Sequence, residues 1–469
     1  FGTLNTSTGS HWPDQHQILL QLKKSKSSSL LGCERILGDA SAISTRSFKK
    51  DLRGVLMKNE SIRLILTINS GSSSIKFGLY RMGRAETVVL SGSVVGIGLG
   101  SGRFYVRDGD GKIIIENRLQ PLEHPEALKE LVEWLQSNPG AYHFDTVGHR
   151  LVHGGRKFRR SHLITPDLIE TLDELMPFAP DHLPHEINAI KVFKHSYPDI
   201  KQVACFDTGF HRDMPRVAQI YALPGALWRE GVLRYGFHGL SYEYILGELT
   251  KEAGGEASKG RLIIAHLGNG ASMVAIKGRK SMDTTMGFSP AGGLVMSTRS
   301  GDLDPGVILY LLKEKRLGFS AVNRMVNKEG GLLGASGVSP AIKDLLNAEA
   351  KNPHAAQAVE LFCYQAKKFL GALAAVLGGL DTLIFTGGIG ENAPSIRRRI
   401  CENMEFLGIH LDPGRNDANA PTISGGGNGV TVRVMKTNEE LMIARHTYEL
   451  LRGNATHETD QVLSEEQAP

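Results

Sequence analysis

Three times along the chain a β-branched apolar run stops at a cluster of glycine and small polar residues. The first is Leu66-Thr-Ile-Asn-Ser-Gly-Ser-Ser-Ser-Ile-Lys76. It predicts a strand, a tight turn and a second strand running through Phe77-Gly-Leu-Tyr80. Small side chains at the bend let backbone N–H groups face a bound anion at close range. Asn69, Ser72 and Ser74 add short polar groups there, and Lys76 adds a positive charge. The second run, Leu262-Ile-Ile-Ala-His-Leu-Gly-Asn-Gly-Ala-Ser-Met-Val-Ala-Ile276, repeats the pattern, with Gly270 equivalent to Gly71. The third, Thr382-Leu-Ile-Phe-Thr-Gly-Gly-Ile-Gly-Glu-Asn392, reads as a strand and a glycine turn, behind an apolar helix over about 357–377. Two such hairpins about 200 residues apart predict a duplicated α/β domain, with a phosphate-holding turn in each half and a nucleotide in the cleft between them. No GxxxxGK[ST] sequence is present, which excludes an ordinary P-loop as the cradle.

Between these runs, residues from about 62 to 118 predict strands and hairpins. Gly96-Ile-Gly-Leu-Gly-Ser-Gly102 superficially matches a dinucleotide loop, but it leads into Arg103-Phe-Tyr-Val rather than a helix, so a hairpin is expected. A helix follows over 123–137, then Asp145-Thr-Val-Gly-His-Arg-Leu-Val-His-Gly-Gly155. Arg150 thus ends a short apolar strand, where a guanidinium can clamp a carboxylate or phosphate through two parallel hydrogen bonds. A surface salt bridge is the plainer reading. His149 and His153 are four apart, yet the strand-like surroundings oppose a helical metal pair. A helix over 166–176, the turn Ala179-Pro-Asp-His-Leu-Pro184 and a further helix lead to the strand Gln202-Val-Ala-Cys-Phe206. Asp207 closes that strand, the place where open α/β sheets set functional groups; an ordinary turn aspartate is the alternative. His238 stands between Gly236 and Gly239. Ser281 through Pro305 reads as one glycine-rich loop carrying Arg299, Asp302 and Asp304, too polar to be structural filler. The strand Val430–Met435 and a helix to about 451 end the pattern, with Thr437 or Asn438 as cap and Glu439 and Glu440 in the first turn.

Composition narrows this picture. The 469 residues are 41% hydrophobic and 22% charged, ordinary for a globular enzyme and long enough for two domains. No apolar run approaches the roughly 20 residues of a membrane span. Cys33, Cys205, Cys363 and Cys401 lie far apart without a CxxC pair, which fits a reducing compartment and no zinc framework. The net charge is +5, and +4 of it comes from nine basic and five acidic residues within 1–60. No basic stripe remains to suggest nucleic acid. Residues 1–60 are expected to be a poorly ordered extension or a gene-start artefact, with Met57 a plausible natural start and no clear signal segment. Residues 453–469 are expected to form a flexible tail.

Eight motifs together resemble the acetate kinase (acetokinase) family in order and spacing. They are Asn69-Ser-Gly-Ser-Ser-Ser-Ile-Lys76, Gly148-His-Arg-Leu-Val-His-Gly-Gly155, Phe206-Asp-Thr208, Arg234-Tyr-Gly-Phe-His-Gly239, His266-Leu-Gly-Asn-Gly270, Met296-Ser-Thr-Arg-Ser-Gly-Asp302, Gly387-Gly-Ile-Gly-Glu-Asn392 and Thr437-Asn-Glu-Glu-Leu441. The resemblance covers about 62–452. It implies an α/β fold of duplicated actin-like (ribonuclease H-like) domains with the active site in the cleft between them. The first domain would span 61–207, completed by the helix 437–452, and the second 208–436. Asn69 and Glu439 would hold Mg²⁺ or Mn²⁺, largely through water. Lys76, His266, Leu267, Gly268, Asn269 and Gly270, with Gly388, Ile389, Gly390, Glu391 and Asn392, would contact the phosphates and adenosine of ATP. Arg150 and Arg299 would bind the substrate carboxylate and the moving phosphoryl group. Asp207 would be the active-site acid and His238 the transition-state stabiliser. Val152, Phe237 and Pro290 would line a small apolar pocket, with His182 also on the acceptor side. The family implies a cytoplasmic homodimer, ATP and ADP, and acetate or a similar short carboxylate, with no nucleic acid or membrane partner.

The chemistry suits these residue types. Acetate is ionised at pH 7 and needs no general base, so Asp207 is expected to orient an arginine or the metal shell. The protein's task is positioning and cationic stabilisation of the transferring group. The chain departs from the family pattern at Gly239-Leu-Ser-Tyr242, which lacks a second histidine. Asp181 stands where a pocket leucine is usual, and Ser339-Pro-Ala-Ile-Lys343 replaces Ser-Ser-Asp-Met-Arg. The alternatives are a kinase of propionate or another short carboxylate, a pyrophosphate-using variant, and a non-catalytic nucleotide sensor.

Overall fold

A computed structural model describes residues 62–453 except Ser72, Leu99, Ala141 and Asn428. The expectations for the N-terminal extension, for Ser72 and for the tail beyond Gly453 lie outside the described residues. The first apolar run forms β1 (Arg63–Ser70) and β2 (Ser74–Met82), which continue as a meander through β3 (Thr87–Val95), β4 (Gly102–Asp108) and β5 (Ile113–Leu119). The Gly96–Gly102 segment joins antiparallel β3 and β4 and is a hairpin connection. On the other flank of β1 lie β6 (Thr146–Leu151), the two-residue β7 (His162–Leu163) and β8 (Lys201–Phe206), in the order β5-β4-β3-β2-β1-β6-β8-β7. A second sheet contains β9 (Arg261–Leu267), β10 (Ala271–Lys277), β11 (Lys280–Thr284), β12 (Thr382–Thr386) and β13 (Thr431–Val434), in the order β11-β10-β9-β12-β13.

The two sheets share one plan. In each, the first strand is flanked on one side by the two strands that follow it, antiparallel, and on the other by two later strands, parallel. This internal repeat is the duplicated α/β architecture of the actin-like class. Parallel strands need crossovers, and helices supply them. α1 (His124–Gln136) opens with a capping box between Glu123 and Glu126 and buries Ala127, Leu128, Leu131 and Leu135 at helical spacing. α2 (Pro166–Glu174) and α3 (Leu183–Ser196) lead into β8.

Two helices trade places between the sheets. α4 (Gly239–Ala253) follows the first sheet's strands, yet its Tyr242, Ile245, Leu246 and Leu249 pack with Leu262, Ile264, Val274 and Ile276 of the second. The opposite face of that sheet is covered by α5 (Pro353–Leu377), which starts at the Asn352 cap and stops at Gly378 in the left-handed region. α6 (Gly387–Asn392) is a short helix where a glycine turn was expected. The reason is topological: the neighbour of β12 in the next stretch of chain is β13, which runs parallel, so no hairpin can close there. After β13, α7 (Glu439–Leu451) returns to the first sheet, setting Ala444 and Tyr448 against Ile65, Tyr80 and Met82, and Ile443 against Val203 and Cys205. No described helix is long and apolar enough to cross a membrane.

Registers decide which residues share an edge. Ile68 lies beside His149 and Leu151 beside Phe206, so Asn69, Arg150 and Asp207 emerge together at the carboxyl ends of β1, β6 and β8. In the second sheet Thr386 lies beside His266 at the corresponding edge.

Candidate active site

Five side chains from four separate elements form one bonded group. Arg150 donates from Nε to both Asp207 oxygens at 3.2 and 3.1 Å and from Nη2 to Oδ2 at 2.5 Å. Its Nη1 donates to Asn69 Oδ1 at 3.0 Å, and Asn69 Nδ2 donates to Glu439 Oε2 and Glu440 Oε1, both at 3.1 Å. The return of α7 to the first sheet is what brings Glu439 here, 370 residues from Asn69 in sequence. Burial pushes the Asp207 carboxyl up against the opposing pull of Arg150. Burial acts the same way on Glu439, but Arg150, His266, Lys76 and the Asn69 amide together hold it below the usual carboxylate range. The Arg150 guanidinium overcomes its own burial through Asp207 and Glu439 and stays charged. Lys76 pairs in register with Asn69 across the hairpin and is exposed.

Arg299 comes from the long segment after β11. The expected single loop from Ser281 begins as that strand, and the remainder is tied by main-chain and side-chain bonds. Asp302 Oδ1 accepts from Gly293 N at 2.6 Å, and Asp304 caps the helix Pro305–Lys313. Both aspartates therefore shape the segment, while Arg299 points into the site. Its Nη1 donates to Pro290 O at 3.0 Å and its Nη2 meets His182 Nε2 at 3.2 Å. It makes no ion pair among the described residues, and burial and Arg150 push it down to about 10. A buried cation facing another cation leaves an anion-sized deficit of negative charge.

His238 precedes α4 in the left-handed region, φ 59°, an uncommon conformation for a non-glycine residue and one found at functional sites. Gly239 follows because a Cβ there would lie 2.1 Å from the Asp207 carbonyl oxygen. The His238 ring stacks on His266 with centroids 4.3 Å apart, and its Nδ1 meets Ser272 Oγ at 2.8 Å. Its Nε2 faces the Gly270 turn, where a Cβ would sit 3.3 Å from Nε2 and 3.6 Å from Arg299 Nη1. Burial, then His266, Arg150 and Arg299, hold the His238 imidazole well below its ordinary value. His266 is pushed down to about 4 by burial and bonds Ser241 Oγ at 2.9 Å through Nδ1. His182 is likewise kept neutral by burial, Arg299 and Arg150.

The glycine segments meet at the second sheet's edge, where a Cβ on Gly268 would be 4.0 Å from Gly388 N. Leu267 turns its side chain into the core, so only its main chain borders the turn. Asn269 is stitched to Ser297, its main-chain oxygen accepting from Ser297 N at 3.1 Å. Glu391 Oε1 accepts from Gly387 N at 3.0 Å and Thr437 N at 3.2 Å, and Asn392 Nδ2 donates to Gly388 O at 2.9 Å. Ile389 and Gly390 are buried in α6. Val152 and Phe237 are buried in the same cluster, and Pro290 is buried with its carbonyl accepting from Arg299. Asp181 is half turned to solvent and pairs with Lys328 at 3.3 Å. His149 is a satisfied core histidine bonded to Gln202 at 2.6 Å. Ala341 and Lys343 are exposed.

Two residues escaped the sequence reading. Glu186 is a buried carboxyl whose Oε2 accepts from Val152 N at 3.0 Å. Arg397 is fully buried and grips the Gly390 and Glu391 carbonyls at 2.9 and 3.2 Å. In sequence each resembles an ordinary polar helix residue, and no spacing rule separates them from exposed ones.

The acetokinase family profile matches residues 64–445. The chain is 44% identical over 400 residues to the acetate kinase of Rhodopseudomonas palustris, covering 83% of this chain and 99% of that one. Its fold is similar to the crystal structure of the Porphyromonas gingivalis acetate kinase, with a TM-score of 0.73 at 38% identity over 83% of this chain and all of the other. It is also similar to a propionate kinase from Francisella tularensis, TM-score 0.75 at 34% identity, covering 82% and 98% of the two chains. With the family profile spanning the strands of both sheets and 44% identity over most of the chain, the chain belongs to the acetokinase family.

Proposed function

We propose that this cleft transfers the γ-phosphoryl group of ATP to acetate, giving ADP and acetyl phosphate, reversibly. The observation that carries the reading is the pair of guanidinium groups, one neutralised by Asp207 and one with no carboxylate partner among the described residues. Arg299 supplies uncompensated charge for the acceptor carboxylate and the transferring group. Arg150 is fixed on one edge by Asp207 and Asn69 and keeps its remaining N–H groups for an anion. Acetate is already an anion and attacks without a base, so Asp207 serves as the positioning group for Arg150. The Tyr242 phenol, which burial keeps protonated, bonds Ser272, and Ser272 bonds His238 Nδ1. With the phenol donating to Ser272 and Ser272 donating to Nδ1, the imidazole proton sits on Nε2, facing the Gly270 turn and Arg299, as a neutral donor to the transferring oxygens.

Glu439 is suited to the divalent cation that accompanies ATP, because it is a buried, ionised carboxylate. Mg²⁺ typically takes only one or two protein carboxylates and completes its shell with water and phosphate. Asn69 commits both ends of its amide to Arg150, Glu439 and Glu440, so it acts by orienting the carboxylate. The ion, when bound, supplies charge neutralisation between the phosphates. Lys76, the Gly268–Gly270 turn and α6 face the nucleotide. The exposed apolar residues Leu309, Tyr310 and Phe319 suit a second copy of the chain as occupant.

The test is acyl phosphate formation trapped as hydroxamate, with ATP or pyrophosphate as donor and acetate or propionate as acceptor. Similarity to a propionate kinase is the observation that keeps the longer acid in the assay, since one methylene is worth only about 1–3 kcal/mol. Turnover with ATP and acetate should fall by two orders of magnitude or more in Arg150→Ala, on the order of 3 kcal/mol. Tight nucleotide binding with no turnover by the wild-type chain would instead identify a sensor.

A further inference from the structure

Glu186 sits in the first turn of α3 and is 1% exposed. One carboxyl oxygen holds Val152 N, two residues beyond Arg150, at 3.0 Å. The other, Oε1, is buried and meets no partner among the described residues. Four residues earlier, at the cap of the same helix, stands His182, whose Nε2 contacts Arg299. The carboxyl therefore lies between the supports of the two arginines, with one oxygen uncommitted. A buried oxygen without a partner is costly unless a ligand or a proton satisfies it.

We propose that Glu186 is a third contact to the acceptor, a neutral carboxylic acid whose Oε1 hydroxyl donates to the carboxylate that Arg150 and Arg299 attract. This rests on the reading of the two arginines as the acceptor clamp. Two carboxyl groups share a site readily only when one is protonated. Burial pushes Glu186 up to about 8, opposed by Arg150 and the Val152 N–H and aided by Asp207. The groups around α3 leave that window clear. On β6, His149 is pushed down to about 4 and Arg150 stays charged. At the start of α3 His182 and His185 are held below their ordinary value, and His124 of α1 stacks on His185 at 3.9 Å. Towards α2, Lys191 pairs with Asp173 at 3.8 Å. Across the cleft Arg299, pushed down to about 10 by burial and Arg150, stays charged through this window. Below about pH 8 Glu186 keeps its proton and binds the anion; above it, a second negative charge opposes the acceptor.

The experiment measures KM for acetate from pH 6.5 to 9 in the wild-type chain, Glu186→Gln and Glu186→Leu, with melting curves at each pH to confirm folding. Wild-type KM should rise about tenfold between pH 7 and 9 as the single group ionises, while kcat and the KM for ATP stay level. Glu186→Gln, which donates from its amide at every pH, should keep a low and flat KM. Glu186→Leu, which can neither donate nor ionise, should raise KM to a value that no longer changes with pH. An active enzyme whose acetate KM is flat, or a Gln variant that rises with the wild type, overturns the assignment of Glu186 alone. A wild-type chain that turns over no acetate at any pH overturns the reading of the cleft and this assignment with it.

Discussion

Arg299 carries a charge that the folded chain does not balance. Its neighbours are a carbonyl, a neutral imidazole and another arginine, so folding without an anion leaves it disfavoured, as its displacement to about 10 expresses. A folded value below the ordinary 12.5 means that the charged form weakens the native state at neutral pH, and that the penalty fades as pH rises through 10 towards 12.5. Arg299→Met should therefore raise the melting temperature of the ligand-free protein while removing at least two orders of magnitude from kcat. Added phosphate should raise the wild-type melting temperature and leave that of the variant unmoved, read by thermal denaturation. An equal phosphate shift in both proteins would show that the anion binds elsewhere. Arg150 and Arg299 were legible in sequence because each stands in a glycine-bounded motif. Glu186 was not, because its burial comes from β6 packing against α3 and nothing in Leu183-Pro-His-Glu186 announces it.

At the scale of elements, α6 shows how a six-residue helix is held in place beside the Gly268–Gly270 turn. Arg397, from the helix Pro394–Cys401, holds the carbonyls of Gly390 and Glu391, the Asn416 oxygens at 2.9 and 2.7 Å, and Asn419 Oδ1 at 2.7 Å. Glu391 then staples the start of α6 to Thr437, just ahead of α7. Glu391 thus reaches the site through main-chain placement, with its carboxylate occupied. Arg397→Met should strand several buried acceptors and cost about 3 kcal/mol, visible as a lower denaturation midpoint. The KM for ATP should rise about tenfold with acetate KM little changed. If both KM values shift together, the loop is not a separate nucleotide-positioning unit. The helical state of Gly387–Asn392 was beyond the sequence pattern, since three glycines in six residues argue for a turn. The parallel neighbour β13 decided it.

In the whole molecule the helix Pro305–Lys313 buries none of its residues, although it is composed largely of Val, Ile, Leu and Tyr. Leu309 is 65% exposed, and the nearby Phe319 on the next helix is 81% exposed. A surface of this kind is matched by self-association through a two-fold axis, where one patch serves both partners. The chain should sediment as a dimer, and Leu309→Glu should shift it to monomer in analytical ultracentrifugation. A wild-type monomer, or a variant that remains dimeric, would place the interface elsewhere or remove it.

The sequence by itself determined the local grammar: β-branched runs that become strands, glycine turns at their ends, and the polar residues that punctuate them. Those features also carried the family resemblance, because anion-holding turns need small residues at invariant spacing. The tertiary structure alone decided which distant pieces meet. The return of α7 to the first sheet carries Glu439 to Asn69, and strand register sets Asp207 against Arg150. Burial then makes Glu186 an acid with a spare oxygen and Arg299 an unbalanced cation. Protonation and charge balance depend on surroundings assembled from many segments, and a residue's own neighbours in sequence do not contain that information.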